Sequence, residues 1–156
     1  MVSILFICHG NICRSPMAEF VMRDMVEKAG LGDRVWIASA ATSAEELGNP
    51  VYPPARRVME RHGLSCAGKT AVRLRRQDGE EYDLLIGMDE ANVRNIRRLC
   101  GPEAEGKVRL LLDYAGEHRD VADPWYTGDF ETTWQDIQIG CRALLAELVE
   151  KRAGEL

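Results

Sequence analysis

The chain has 156 residues, 46% of them hydrophobic and 29% charged, the proportions of an ordinary globular protein with a real core. Its formal net charge of −5 argues against nucleic acid or an anionic membrane surface as a partner. The same charge means that an anionic substrate needs local positive potential at its site, set against an unfavourable overall field.

Five cysteines, at 8, 13, 66, 100 and 141, are odd in number and scattered, which is no disulfide framework and predicts a reducing compartment. The first ten residues, MVSILFICHG, carry no basic segment, and their apolar run is too short for a signal peptide or a membrane span. The expectation is a cytoplasmic protein forming one domain over 1–156.

In chain order, Val2–Cys8 is a continuous apolar run ending before Gly10, the pattern of a strand buried on both faces. Ser15-Pro16 then predicts a helix, with Ser15 as N-cap, Pro16 at the first helical position and Glu19 in the first turn. Met17, Val21 and Met25 form one apolar row, Ala18, Met22 and Ala29 its neighbour, and Gly30 stops the helix. Val35–Ser39 reads as a second strand and Ala55–His62 as a helix preceded by Pro53 and Pro54. Tyr82–Gly87 predicts a third strand, Asp89–Cys100 a third helix with Asp89 as its cap, and Lys107–Leu112 a fourth strand. A loop from Asp113 to Gly128 follows, and Phe130, Trp134, Ile137, Cys141, Leu144 and Leu148 mark the stripe of a long last helix.

Strands and helices in alternation imply a parallel sheet with helices on both faces. Ligands of such sheets bind beyond the carboxyl ends of the strands. Those ends are Cys8, Ser39–Ser43, Gly87–Asp89 and the segment from Leu112 onward.

Cys8 to Arg14 is one cysteine, five residues and one arginine, placed between a strand and a helix. Backbone N–H groups in such a tight loop, with the helix N-terminus, make an anion cradle. Arg14 adds a bidentate fork for a phosphate-like group, and the same field stabilises a thiolate at Cys8. Gly10 and Asn11 suit a tight or left-handed turn, and Ser15 can hydrogen-bond the thiolate. Cys8 is then a nucleophile toward phosphorus. The leaving oxygen needs a proton, and Asp123, stiffened by Pro124 in a loop at the same edge, is the candidate acid and later base. Asp113 and Asp120 are the fallback acids.

Residues 8–16, CHGNICRSP, resemble the signature loop of the low-molecular-weight protein tyrosine phosphatases. The likeness continues in SAATS at 39–43, MDEAN at 88–92 and DPWY at 123–126. It implies a flavodoxin-like α/β fold, a three-layer sandwich around a four-stranded parallel sheet of order 2-1-3-4. It also implies a phosphorylated protein as substrate, Cys8 as nucleophile, Arg14 as phosphate clamp and Asp123 as general acid, with no metal or cofactor. His9, Gly10, Asn11, Ile12, Cys13 and Ser15 form or organise the phosphate loop under that resemblance.

Departures from the family pattern are specific. Glu45 stands where many members carry an aromatic crevice wall, so that wall is polar and negative here. A frequent His-x-Ala-Arg segment reads GKTA at 68–71, so the polar network behind the loop must be built differently. Trp125-Tyr126 replaces a tyrosine pair, keeps an aromatic wall on that side and leaves Tyr126 as a phosphorylation candidate. Cys13 has two readings, a packing residue or a disulfide partner of Cys8 under oxidant. Lys69, Arg73, Arg75 and Arg76 form the densest basic cluster, either a solvated stretch or a docking patch. His62 reads as structural, and His9 as a loop residue at the crevice mouth.

Competing functions share the scaffold. A protein arginine phosphatase tends to carry Thr where Ile12 stands, and a branched apolar side chain there favours an aromatic ring. Arsenate reduction needs a close relay pair that Cys66 and Cys100 do not form in sequence. A non-catalytic phosphate-binding module leaves Asp123 without a task. A nucleotide P-loop is absent from the sequence, and the cysteines and three histidines lack zinc-ligand spacing.

Overall fold

The computed structural model describes residues 1–154. Four parallel strands, β1 (Val2–Cys8), β2 (Val35–Ala41), β3 (Leu84–Gly87) and β4 (Val108–Leu110), form one sheet in the order β2-β1-β3-β4. This is the predicted topology. Its helices are α1 (Arg14–Lys28), α2 (Pro53–Arg61), α3 (Asp78–Glu81), α4 (Glu90–Cys100), α5 (Pro124–Thr127) and α6 (Phe130–Gly154).

The period of two along β1 explains its unbroken apolar sequence. Ile4, Phe6 and Cys8 enter one core with Met17, Val21 and Met22 of α1 and Trp134, Ile137, Cys141 and Leu144 of α6. Leu5 and Ile7 enter the opposite core with Val93, Ile96 and Cys100 of α4. The predicted α6 stripe is the buried one. Gly140 allows its close approach, because a Cβ there would sit 2.5 Å from Leu111 Cγ.

Boundaries depart from the sequence reading where local geometry outweighs pattern. β2 runs two residues further than predicted, since its last residues still pair with the end of β1. β4 is three residues long because Leu111–Ala115 winds into a 3-10 turn. Residues 78–81, ahead of β3, form a helical turn, and α2 begins at Pro53, with its prolines in the first turn where their missing N–H is harmless. Ser15 is not the N-cap of α1. The cap position is Cys13, and the Ser15 hydroxyl turns to the Cys8 sulfur instead.

Candidate active site

β1 delivers Cys8 to the carboxyl edge of the sheet, and residues 9–13 reverse the chain into α1. Asn11 makes the turn with a left-handed φ of 59°, a conformation that asparagine tolerates better than most residues. Its buried side chain locks that geometry. Asn11 Nδ2 donates to Ser15 Oγ at 2.8 Å and to Ser39 Oγ at 2.9 Å, and Oδ1 accepts from the Val72 N–H at 3.1 Å. Two groups converge on the sulfur: the Asn11 N–H donates to Cys8 Sγ at 3.3 Å, and Ser15 Oγ lies 3.0 Å away. Toward a thiolate the Ser15 hydroxyl is the donor.

A second layer supports the loop. Ser39 Oγ donates to Glu19 Oε1 at 2.5 Å, and Glu19 is buried to 3% exposure. Arg23 pairs with Glu19 Oε2 at 2.7 Å, while Lys69 Nζ donates to the Ser39 carbonyl at 3.2 Å and lies 3.7 Å from Glu19 Oε1. The GKTA segment therefore supplies a cation behind the loop. Burial pushes the Lys69 ammonium below its ordinary pKa, and the Glu19 charge opposes that shift.

Arg14 is 2% exposed, and three acceptors surround it. Nη1 donates to Asp89 Oδ2 at 2.7 Å and to the Val121 carbonyl at 2.9 Å, while Nη2 faces Asp123 Oδ2 at 3.4 Å. Burial works against its charge, yet Cys8, Asp89 and Asp123 together hold its pKa above the ordinary value. Asp89 caps α4 as predicted, accepting from the Asn92 N–H at 2.8 Å in a capping box. Its grip on Arg14 was not legible, because the two residues are 75 apart in sequence.

Asp123 caps the short α5, accepting from the Trp125 N–H at 3.0 Å. Its segment is pinned on three sides. The Val121 N–H donates to the Met88 carbonyl at 2.9 Å, and Thr133 Oγ1 donates to the Ala122 carbonyl at 3.1 Å. Arg119 forks onto Asp136 of α6 with two bonds of 2.9 Å. A loop so tied presents its carboxylate in a fixed place.

Cys8, His9, Gly10, Ile12, Cys13 and Arg14 line a cavity of about 130 Å³ with Glu45, Glu46, Asp123, Trp125 and Tyr126. The expected wall residues Glu45, Trp125 and Tyr126 all reach it. Glu46 was missed, although it neighbours Glu45 in sequence. Asn11 and Ser15 sit behind the cavity rather than in its lining. Trp125 leans on Tyr52 with ring centroids 4.9 Å apart, and His9 Nε2 lies 3.1 Å from Glu45 Oε2 across the mouth. Cys13 is buried at the floor, where desolvation and the neighbouring Cys8 push its thiol well above the ordinary range.

Other candidates fall elsewhere. His62 stacks on Trp134 at 4.4 Å, a structural contact. The basic cluster is dispersed: Lys69 turns inward, Arg75 pairs with Asp78 and Glu81, and Arg76 pairs with Glu103. Glu19 was read only as a first-turn acid. Ser15, Glu19 and Arg23 recur every four residues beside an apolar face, which is the signal of an inward polar row.

Comparison with known proteins agrees with this geometry. The family model described as low molecular weight phosphotyrosine protein phosphatase matches residues 3–154. The low molecular weight protein-tyrosine-phosphatase YfkJ of Bacillus subtilis is 38% identical over 154 residues, covering 97% of this chain and 99% of the relative. The crystal structure of YfkJ matches with a TM-score of 0.93 over 97% of this chain and 96% of its own. Low molecular weight phosphotyrosine protein phosphatase 1 of Drosophila melanogaster is 39% identical over 153 residues, covering 95% of this chain and 97% of the relative. A solved Drosophila arginine phosphatase is also similar, 25% identical with a TM-score of 0.86 over 93% of this chain and 96% of its own. With a match over nearly its whole length in both sequence and structure, the chain belongs to the low molecular weight phosphotyrosine protein phosphatase family.

Proposed function

We propose that this protein hydrolyses phosphotyrosine in proteins through a phosphocysteine at Cys8. The observation that carries the reading is the meeting of Cys8, Arg14 and Asp123 in one cavity, with the Asn11 N–H and Ser15 hydroxyl on the sulfur. The Cys8 thiolate attacks phosphorus, and an S–P bond forms as the P–O bond to the tyrosine ring breaks. Asp123, protonated at this step, gives its proton to the departing phenolic oxygen. Arg14 binds the equatorial phosphoryl oxygens, its guanidinium oriented by Asp89 and the Val121 carbonyl. In the second half, the Asp123 carboxylate takes a proton from water, the water oxygen attacks phosphorus, and the S–P bond breaks. Ser15 then stabilises the released thiolate by donating its hydroxyl.

The aromatic wall of Trp125, backed by Tyr52, and Tyr126, with the apolar side chain of Ile12, suits a phenyl ring. Likeness to an arginine phosphatase keeps phosphoarginine as a second substrate to test, and Ile12 in the cavity lining speaks for the ring. Five cysteines outside any disulfide fit a reducing compartment, and we read the protein as cytoplasmic. Among the described residues, no helix is long and apolar enough to cross a membrane.

The test is turnover of phosphotyrosine, phosphoserine and phosphoarginine peptides in the presence of a chelator. Phosphotyrosine is expected to be preferred and Cys8→Ser to be inactive while folded. Preference for phosphoarginine overturns the substrate, and full activity of Cys8→Ser overturns the chemistry.

A further inference from the structure

Lys69 does not line the cavity, so its inward turn requires a reason. Lys69 lies in the connection between α2 and α3, carries a side chain only 12% exposed, and is the cation on the loop side of Glu19. Arg23, on the other side of that carboxylate, is half-exposed and also donates to the Ile37 carbonyl at 3.0 and 3.3 Å. Taking an ammonium out of water is costly, and it is tolerated only with close partners. Lys69 has two, the Ser39 carbonyl and Glu19.

From Lys69 a continuous chain of contacts runs to the sulfur: Lys69 to Glu19 and Ser39, Ser39 to Asn11, Asn11 to Ser15, and Ser15 to Cys8. Every member from Glu19 to Cys8 is nearly fully buried. Glu19 decides which way that chain points. It accepts the Ser39 hydroxyl hydrogen, which leaves Ser39 Oγ to accept from Asn11 Nδ2 and Asn11 Oδ1 to hold the Val72 N–H.

We propose that Lys69 is a positioning residue for the reaction: its buried charge, set against Glu19 and the Ser39 carbonyl, fixes the Ser39–Asn11–Ser15 chain in its donor direction and favours the Cys8 thiolate from behind the loop. This rests on Cys8 as the nucleophile. The attraction is mutual, since the Cys8 thiolate is among the charges that favour the protonated Lys69. Charged or titratable groups facing Lys69 are Glu19, Arg23 and Cys8. Those that share the cavity with Cys8 on its other sides are Arg14, Cys13, Asp123, His9, Glu45, Glu46 and Tyr126.

The experiment is the pH dependence of Cys8 alkylation by iodoacetamide, a neutral reagent, followed by the mass of the peptide that contains Cys8, alongside kcat and KM. Lys69→Gln keeps a donor for the Ser39 carbonyl and removes the charge. Its alkylation at pH 6, as a share of its own plateau, is expected to fall roughly threefold to tenfold, with kcat falling in step and KM little changed. Lys69→Arg is expected to keep the wild-type profile. An undisplaced profile in Lys69→Gln, including one accompanied by a lower Tm, overturns the proposal. Should that variant not fold, Lys69→Met, which keeps the apolar stem, carries the same readout. Cys8→Ser separates the two readings: turnover without Cys8 removes the nucleophile, whereas an inactive Cys8→Ser with an undisplaced Lys69→Gln profile removes only the role of Lys69.

Discussion

Asp89→Asn isolates the support of Arg14, the proposed phosphate clamp. The two carboxylate oxygens of Asp89 serve different donors, Oδ1 the Asn92 N–H at 2.8 Å and Oδ2 the Arg14 guanidinium at 2.7 Å. An asparagine has a single carbonyl oxygen. Asparagine is as good an N-cap as aspartate, so α4 keeps its start, and the amide nitrogen then faces Arg14. Arg14 loses a hydrogen bond between charged groups, worth about 1.5–3 kcal/mol. It retains the Val121 carbonyl at 2.9 Å and the longer contact with Asp123 at 3.4 Å, neither of which replaces a carboxylate at 2.7 Å. The expected result is a loss in kcat/KM of roughly 10- to 100-fold on a phosphotyrosine peptide. A comparable weakening of inhibition by inorganic phosphate should accompany it, with a Tm lower by about 5 °C. Steady-state kinetics and thermal unfolding measure all three. If kcat/KM and phosphate inhibition both stay within twofold of wild type, Arg14 does not depend on Asp89 and the reasoning fails.

Asp123→Ala should lower kcat by roughly 10²–10⁴ and most for substrates with poor leaving groups, so the dependence of rate on leaving-group pKa should steepen. Ser15→Ala removes the hydroxyl 3.0 Å from Cys8 Sγ and should slow turnover by about tenfold, with KM little changed. Burial raises the thiols of Cys13 and Cys141 above their ordinary range. An unfolded chain therefore releases those protons from about pH 8.5 upward while the folded one keeps them, and stability declines as pH rises through that value. Thermal unfolding between pH 7 and 10 should show the decline, and Cys141→Ala should make it shallower; an identical slope would remove burial of that thiol as its cause.

Much of the frame was legible because it rests on local pattern. The apolar run of β1, the α4 cap at Asp89 and the α6 stripe each carry their own periodicity or punctuation, and the alternating order of elements then leaves few topologies. Cys8, Arg14 and Asp123 were legible because the sheet edge collects them. What escaped notice was set by distant partners. For Ser15 half of the reading holds: the expected bond of its hydroxyl to the Cys8 sulfur forms, whereas the expected N-cap does not, because that sulfur takes the hydroxyl. Lys69 sits in a basic stretch that reads as solvated, and only the buried Glu19 explains its inward turn. Asp89 announces its helix but not its bond to Arg14. Short helical turns at Asp78–Glu81 and Pro124–Thr127 lack the length for any periodic signal.

The covalent intermediate is the direct test of the chemistry. Asp123→Ala lacks the base proposed to activate water, so a phosphoryl group transferred to sulfur should persist. Mixing that variant with p-nitrophenyl phosphate, whose leaving group needs no proton, quenching during the first turnover and mapping the digest should place the mass of one phosphoryl group on the peptide that contains Cys8. Product released from the enzyme with no phosphorylated form of that peptide at any time point would contradict a phosphocysteine mechanism.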